Sequence, residues 1–358
     1  MPRATNRRRL LLTGLAVTAL MAGSGGAAAP VAAAVTQFSG MSWLGLGANV
    51  IGPLFPSSIS TGSDNRLTVL LLGSDWRPRL AGTGERTDSM ILMTINNSHQ
   101  ISAVSLPRDV GNVPIAPGVI FKPKINGLFK YYKQAYGSRE AALEHMRQAF
   151  QYTFQIQIDY VVYIRFTGFE RLVGNVGGVP VTVSSTVYDA KIVDERYPTK
   201  QHGAKFLQSA STTELGANAP ACYTVGSPIN WAASPNCTRA LEYVRSRHGP
   251  GNNDWVRARR QQNFIFAAIK RVIGRGSGAN LEALRSSALS NSVDFYTTLP
   301  TSAGDAIAMF NLLNGATMPN QAVLKPRKYA STIPGTSKQQ LKIDVVRALM
   351  HSWFGPLP

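Results

Sequence analysis

Residues 67–73, LTVLLLG, make an unbroken apolar run that stops abruptly at Ser74, Asp75 and Trp76. A short run without alternation is the pattern of a central strand buried on both faces. After a loop containing Gly and Pro, Arg86-Thr87-Asp88 leads into a second predicted strand at 90–95. Asn96, Asn97 and Ser98 signal a turn, and a third strand at 100–106 is stopped by Pro107. If the three pair as an antiparallel meander, the end of the first, the start of the second and the end of the third share one sheet edge. Asp75, Arg86, Asp88, Arg108 and Asp109 then meet in one place; otherwise each is a loop charge paired locally.

Farther along, the period changes. Ala142, Met146, Ala149 and Phe150 fall at helical spacing in a helix predicted over 138–152. Residues 156–159 and 161–166 read as strands, and 168–183 (GFERLVGNVGGVPVTV) as a short helix, a Gly-Gly turn and another strand. Residues 195–237 are polar and loop-like. Helices are expected at 238–247, from an Asn252–Asn253 cap to about 273, at 281–289, at 303–313 and at 339–351, with a strand near 322–324. This irregular interleaving predicts an α/β fold: one domain, a mixed central sheet flanked by helices, without internal repeats.

The segment 243–262, YVRSRHGPGNNDWVRARRQQ, changes the picture by setting five arginines around one carboxylate, Asp254. Crowded guanidinium groups repel unless an anion, a metal-bound carboxylate or bulk water screens them. In a helix begun at the asparagine cap, Asp254, Arg257, Gln261, Ile265, Ala268 and Val272 fall on one stripe. The lower half of that stripe is apolar and so faces the interior. The upper half aims an acid, an arginine and a glutamine the same way, where charge is costly unless paired. Arg259, on the opposite side, is expected in solvent. The competing reading is an arginine-rich helix end lying wholly in solvent.

Charge and the amino terminus narrow the partner. The 358 residues carry a formal net charge of +18, which asks for a polyanionic neighbour. Arg3, Arg7, Arg8 and Arg9 precede an uncharged run over 10–63 with an apolar core, the signature of a signal anchor or a cleaved signal peptide. The expected layout is therefore a membrane-directed segment at 1–35, a linker at 36–65 and a globular body at 66–358. Either reading puts the body outside the cytoplasm, as a single-pass membrane protein or a secreted one. Nucleic acid is then excluded as a partner. In that oxidising setting Cys222 and Cys237, the two cysteines, read as a disulfide closing a loop.

Asp75 and Asp88 at a shared edge suit a hard cation such as Mg²⁺, which takes one or two carboxylates plus phosphate oxygens. Guanidinium forks match pyrophosphate. Phosphoryl transfer needs little else beyond neutralised charge and a positioned acceptor. No GxxxxGK[ST] loop, GxSxG elbow or HExxH pair is present to support other chemistries.

In order and spacing, LLLGSDWR, RTDSMIL, SLPRD, KPKIN, IDYVVYIRFTGFERLVGNVGGVPV, ALEYVRSRH and DWVRARRQQ resemble the LytR-CpsA-Psr family over about 67–273. The resemblance implies a domain tethered by one membrane segment that moves a glycopolymer, with one phosphate, from a polyprenyl-pyrophosphate carrier to a peptidoglycan hydroxyl. It implies that Asp75 and Asp88 hold Mg²⁺ and that Arg86, Arg108, Arg245, Arg247 and Arg257 contact the pyrophosphate with Gln261, assisted by Lys124. Asp109 and Asp254 would orient the arginines. A polyprenyl tail needs an apolar groove, for which Phe150, Phe154, Ile156, Ile158, Val161, Ile164 and Phe166 are the candidates; ordinary core residues are the alternative. The Pro/Asn/Ser-rich stretch over 195–237 is longer than the family pattern needs. Two other activities compete, a polyprenyl-pyrophosphate hydrolase and a membrane-bound envelope regulator without transferase activity.

Overall fold

Strand β1 (Arg66–Ser74) grows from the apolar run and sits near the middle of a six-stranded sheet. The computed structural model describes residues 57–59, 61, 64–76, 84–189, 191–192, 204–216, 239–274 and 293–357. The expected meander is present: β1 pairs antiparallel with β2 (Thr87–Asn96), which pairs antiparallel with β3 (Gln100–Leu106). Beyond β3 come a hairpin of β4 (Val113–Ala116) and β5 (Val119–Phe121) and a single 3-10 turn, Ile125–Gly127. Two helices, α1 (Leu128–Tyr136) and α2 (Arg139–Phe154), then carry the chain to β6 (Tyr160–Ile164). β6 lies parallel to β1, and a parallel pair requires such a crossover.

Helix α3 (Phe166–Asn175) ends at Gly177 and Gly178, whose positive φ values turn the chain into β7 (Val179–Thr182). Short strands β8 (Val187–Asp189), β9 (Ala204–Phe206) and β10 (Thr212–Leu215) pair as β8 with β9 and β7 with β10, so part of the polar stretch is structured. Next are α4 (Arg239–Arg245), α5 (Asp254–Gly274), β11 (Phe295–Thr297), α6 (Ala303–Leu313) and β12 (Thr317–Val323). Strands β13 (Ala330–Thr332) and β14 (Gln339–Leu341) precede α7 (Ile343–Phe354). The main sheet runs β11-β6-β1-β2-β3-β12, with β12 parallel to β3 and β11 antiparallel to β6: the mixed sheet flanked by helices.

Alternation along β2 explains why its sequence is apolar throughout. Met90 and Leu92 join the core under α1, α2 and α7, whereas Ile91, Met93 and Ile95 face the side of α5 and α6. A third cluster, around β7, α4 and Phe264 of α5, forms a smaller core beside the sheet.

Several expectations need correction. Residues 156–159 are irregular, because Gln155 closes α2 in the left-handed region, and Asp159 meets Thr68 of β1 partly through its side chain, Oδ2 accepting from the Thr68 N–H, just before β6 begins. Phe166 opens a helix where a strand end was expected. The closing helix begins at Ile343, since Gln339–Leu341 pairs with β13. Helix α1 and the β4–β5 hairpin were not anticipated. The 281–289 helix, Cys222, Cys237 and the segment 1–35 lie outside the described residues. No helix among the described residues is long and apolar enough to cross a membrane.

Candidate active site

The edge where β1 ends and β2 begins is irregular. Gly73 faces Ser89 but Ser74 faces Thr87, so Asp88 is the extra residue of a β-bulge. Bulges re-aim side chains, and this one turns Asp88 toward the end of β3. There its carboxylate accepts from Arg108 Nη1 at 2.6 Å and from Asn126 Nδ2 at 2.9 Å. Asp75 is fixed across the same edge: its N–H donates to the Arg86 carbonyl and its Oδ1 accepts from the Arg86 N–H, both at 3.0 Å. The basic loop docks beside Arg108, with Lys124 Nζ 2.5 Å from Asp109 Oδ1.

The opposite wall is the start of α5. Asn253 Oδ1 accepts from the N–H groups of Trp255 and Val256 at 2.9 and 3.0 Å, the expected cap. Asp254 then sits among three arginines, 3.1 Å from Arg257, 3.7 Å from Arg247 and 3.9 Å from Arg108. Burial would raise Asp88, yet Arg108, Asn126 and the Arg257 charge outweigh it and hold the carboxyl below its ordinary range. Burial lowers Arg257, and the neighbouring Arg108 and Arg247 charges act the same way against the pull of Asp254 and Asp88. Among the described residues, the buried Nε atoms of Arg108 and Arg257 have no hydrogen-bond partner. Buried donors in that state are suited to an anion.

A cavity of about 620 Å³ opens from this cluster. Its floor is the α5-side face of the sheet, including Leu71, Ile91, Val162 and Ile164, and its walls are α3, α5 and α6. Along α5 the lining changes from Arg257 and Gln261 to Ile265, Ala268 and Val272. At 1.5 Å per residue, that wall runs from charged to apolar over roughly 22 Å.

Asp75, Asp88, Arg108, Arg245, Arg247, Arg257, Gln261, Ile164 and Phe166 all border the cavity. Asp109 and Asp254 join through a small adjoining pocket that shares Asp88, Arg108, Arg257 and Gln261. Arg245 lies over the Phe166 ring at 4.4 Å, and Gln261 donates to the Val244 carbonyl at 3.0 Å. Arg86 clasps Asp75 through its backbone and is itself exposed. Phe150, Phe154, Ile156, Ile158 and Val161 do not line the cavity; they are packed in the core on the other face of the sheet. Their spacing was apolar, but the register of β6 turns Val161 to α2 and Val162 and Ile164 to the cavity. Arg259 is not in solvent either, since it donates to the side chain and carbonyl of Gln321 on β12 at 2.7 and 2.9 Å.

Sequence reasoning missed the braces. Arg260, 5 % exposed, donates to the carbonyls of Tyr243 and Ser246 and to Asn252 Oδ1, tying down the end of α4 and the loop after it, which carry Arg245 and Arg247. Gln262 reaches Ser105 Oγ and the Ala322 carbonyl, both at 2.8 Å, fixing α5 to the sheet. Under the Asp75 edge, Glu85 accepts from Ser74, Tyr163 and Arg165, a buried ion pair whose oxygens are well used. Apart from Ser74, eleven positions from Glu85, the Gln262 and Glu85 partners lie 60 or more positions away, so local pattern carries no signal for them.

The residues fit a hard divalent cation to a limited degree. Asp75 and Asp88 offer carboxylate oxygens beside the unpartnered arginine donors. No group of three or more His, Cys, Asp or Glu suited to a metal occurs among the described residues, so substrate oxygens and water would complete the shell.

Residues 53–293 match the LytR_cpsA_psr family. The chain is 30% identical over 207 residues to the polyisoprenyl-teichoic acid–peptidoglycan teichoic acid transferase TagT of Bacillus subtilis, covering 56% of this chain and 51% of that one. It is 25% identical over 236 residues to biofilm regulatory protein A of Streptococcus mutans, covering 63% of this chain and 48% of that one. The chain thus spans about half the length of the curated relatives it matches. Its fold resembles the crystal structure of B. subtilis TagV, with a TM-score of 0.56 at 19% identity, over 82% of this chain and 99% of that one.

Proposed function

Since the chain belongs to the LytR_cpsA_psr family, we propose that it transfers a glycopolymer with one phosphate from a polyprenyl-pyrophosphate carrier to a peptidoglycan hydroxyl. The observation that carries this reading is the cavity itself, whose α5 wall runs from a cluster of arginines to an apolar end over roughly 22 Å in all. A lipid pyrophosphate has the same two parts. The name of the B. subtilis relative, a teichoic acid transferase, supports the reaction class.

In this reading Arg108, Arg245, Arg247 and Arg257 neutralise the pyrophosphate, and Gln261 adds a donor. Asp109 and Asp254 keep the guanidinium groups oriented, and Lys124, outside the cavity lining, is paired with Asp109. Asp75 and Asp88 would hold Mg²⁺, which when bound supplies further charge neutralisation at the phosphate oxygens. Ile164, Phe166 and the lower half of α5 bury the first part of the lipid. The catalytic body, 66–358, would work outside the cytoplasm, with 1–35 as its anchor or as a cleaved signal, and with Cys222 and Cys237 bonded.

Full-length protein in lipid nanodiscs, given polyprenyl-pyrophosphate-linked glycan and peptidoglycan, should yield a phosphodiester-linked adduct by mass spectrometry. Arg257→Ala should lower the yield by at least about 100-fold while the protein stays folded by circular dichroism at the assay temperature. Phosphate-ester release without adduct would make the protein a hydrolase. Donor binding with neither product would favour the regulator reading, for which the S. mutans relative's name speaks.

A further inference from the structure

One titratable pair bordering the cavity has no part in the scheme above. Asp189, at the end of β8, is 1 % exposed. Its carboxylate accepts three backbone N–H groups, from Lys191 at 3.0 Å, Arg247 at 2.8 Å and His248 at 3.1 Å. The His248 ring lies against the same carboxylate, Nδ1 being 3.1 and 3.2 Å from its two oxygens. Burial works against the charge on Asp189, but those N–H groups and His248 keep its carboxyl below the ordinary range. A carboxylate can only accept, so the proton between the two rests on Nδ1 and the lone pair of the neutral ring is on Nε2.

The backbone delivers this ring deliberately. Gly249 has φ +98°, and a Cβ there would stand 2.3 Å from the Tyr188 carbonyl oxygen, so only glycine lets the loop close onto β8. Asn252 donates to the His248 carbonyl, and Arg260 holds Asn252 from beneath. His248 keeps 40 % of its side chain exposed and is the one histidine bordering the cavity among the described residues. Asp189 lies against the ring, and the other charged groups bordering the same cavity are Lys191 from the β8 side, Arg245 and Arg247 from the end of α4 and the loop after it, Arg257 from α5, and Asp75, Asp88, Arg108 and Arg165 from the sheet edge.

We propose that His248, oriented by Asp189, accepts the proton of the attacking hydroxyl; this rests on the transfer reaction proposed above. The carboxylates nearby are poorer candidates: Asp88 is engaged by Arg108 and Asn126, and Asp254 sits among three arginines. In the step, the acceptor oxygen bonds to the glycan-bearing phosphorus while the bond from that phosphorus to the bridging oxygen breaks. The electron pair leaves with polyprenyl phosphate. The hydroxyl proton passes to His248 Nε2, the imidazolium is stabilised by Asp189, and the proton is then released to water.

The same nanodisc assay tests this with His248→Gln. Turnover should fall by about 100-fold or more, with donor affinity and thermal melting unchanged and the acid limb of the kcat–pH profile lost. Added imidazole should restore part of the rate to His248→Ala. A His248→Gln enzyme with wild-type kcat and pH profile overturns the assignment while leaving the transferase reading intact. Wild-type protein that forms no adduct overturns both. Independently of any variant, nitrogen-15 NMR of the wild-type histidines should find the Nδ1–H tautomer at His248, and an Nε2–H tautomer would exclude it as the base.

Discussion

The two faces of the central sheet are made by alternate residues of the same strands, yet one is solid and the other hollow. Toward α1, α2 and α7, Leu70, Leu92 and Val161 meet Phe129, Phe150, Phe154 and Phe354, all buried at 0–3 % exposure. Toward α5 and α6, Leu71, Ile91 and Ile164 face a cavity of about 620 Å³. The difference lies in the covering helices. α2 offers two phenylalanine rings that pack edge to face at 5.7 Å, whereas the middle of α5 offers Ile265, Ala268 and Ile269. Apolar periodicity is common to both. Side-chain volume opposite the sheet decides between a core and a trough.

The sharpest way to break this comparison is to fill the trough. Ala268→Trp places an indole on its wall, and thermal melting of the variant checks that the fold is kept. Lipid-linked donor turnover should fall by more than about 100-fold, whereas a soluble pyrophosphate should still bind the arginine end. Unchanged turnover would mean that the donor does not use this space. On the solid face the converse is expected. Phe154→Ala should cost about 3–5 kcal/mol in urea unfolding, because the site is close-packed and collapses poorly. Its activity per folded molecule should match the wild type; a specific loss of kcat would tie α2 to the site after all.

How far the chain discloses this arrangement depends on which interactions are local. Continuous apolar runs and Pro107 define the meander, and with it the meeting of Asp75, Asp88 and Arg108. The α5 stripe is legible too, because a 3.6-residue period fixes which residues share a face. Period does not say what each face will meet. α5 touches the cavity, the α4 loop and the β3–β12 edge at once, so its first turns have little solvent side: Arg257 and Arg260 are buried, Arg259 is bound to Gln321 and Gln262 reaches Ser105. The bulge that aims Asp88 is likewise a property of two strands in register, not of Thr87-Asp88-Ser89 alone. For Phe150 and Phe154 the spacing shows an apolar face but not which side of the sheet that face meets.

The smallest expected effect concerns acid stability, which should separate the charged end of the cavity from the solid face. Asp88 has its folded pKa lowered below the ordinary 3.8, so the unfolded chain binds more protons in that window. Its contribution to stability is therefore complete above pH 3.8 and fades as the pH falls through the folded value. Asp88→Asn keeps the shape and removes the charge, leaving Arg108 with weaker compensation, so the variant should be less stable at neutral pH. The gap between variant and wild type in urea midpoint should shrink below pH 3.8. Phe154→Ala carries no such titration, and its deficit should persist across the same range. Parallel curves for Asp88→Asn and wild type down to the acid transition would show that Arg108 and Asn126 do not hold this carboxylate as their geometry requires.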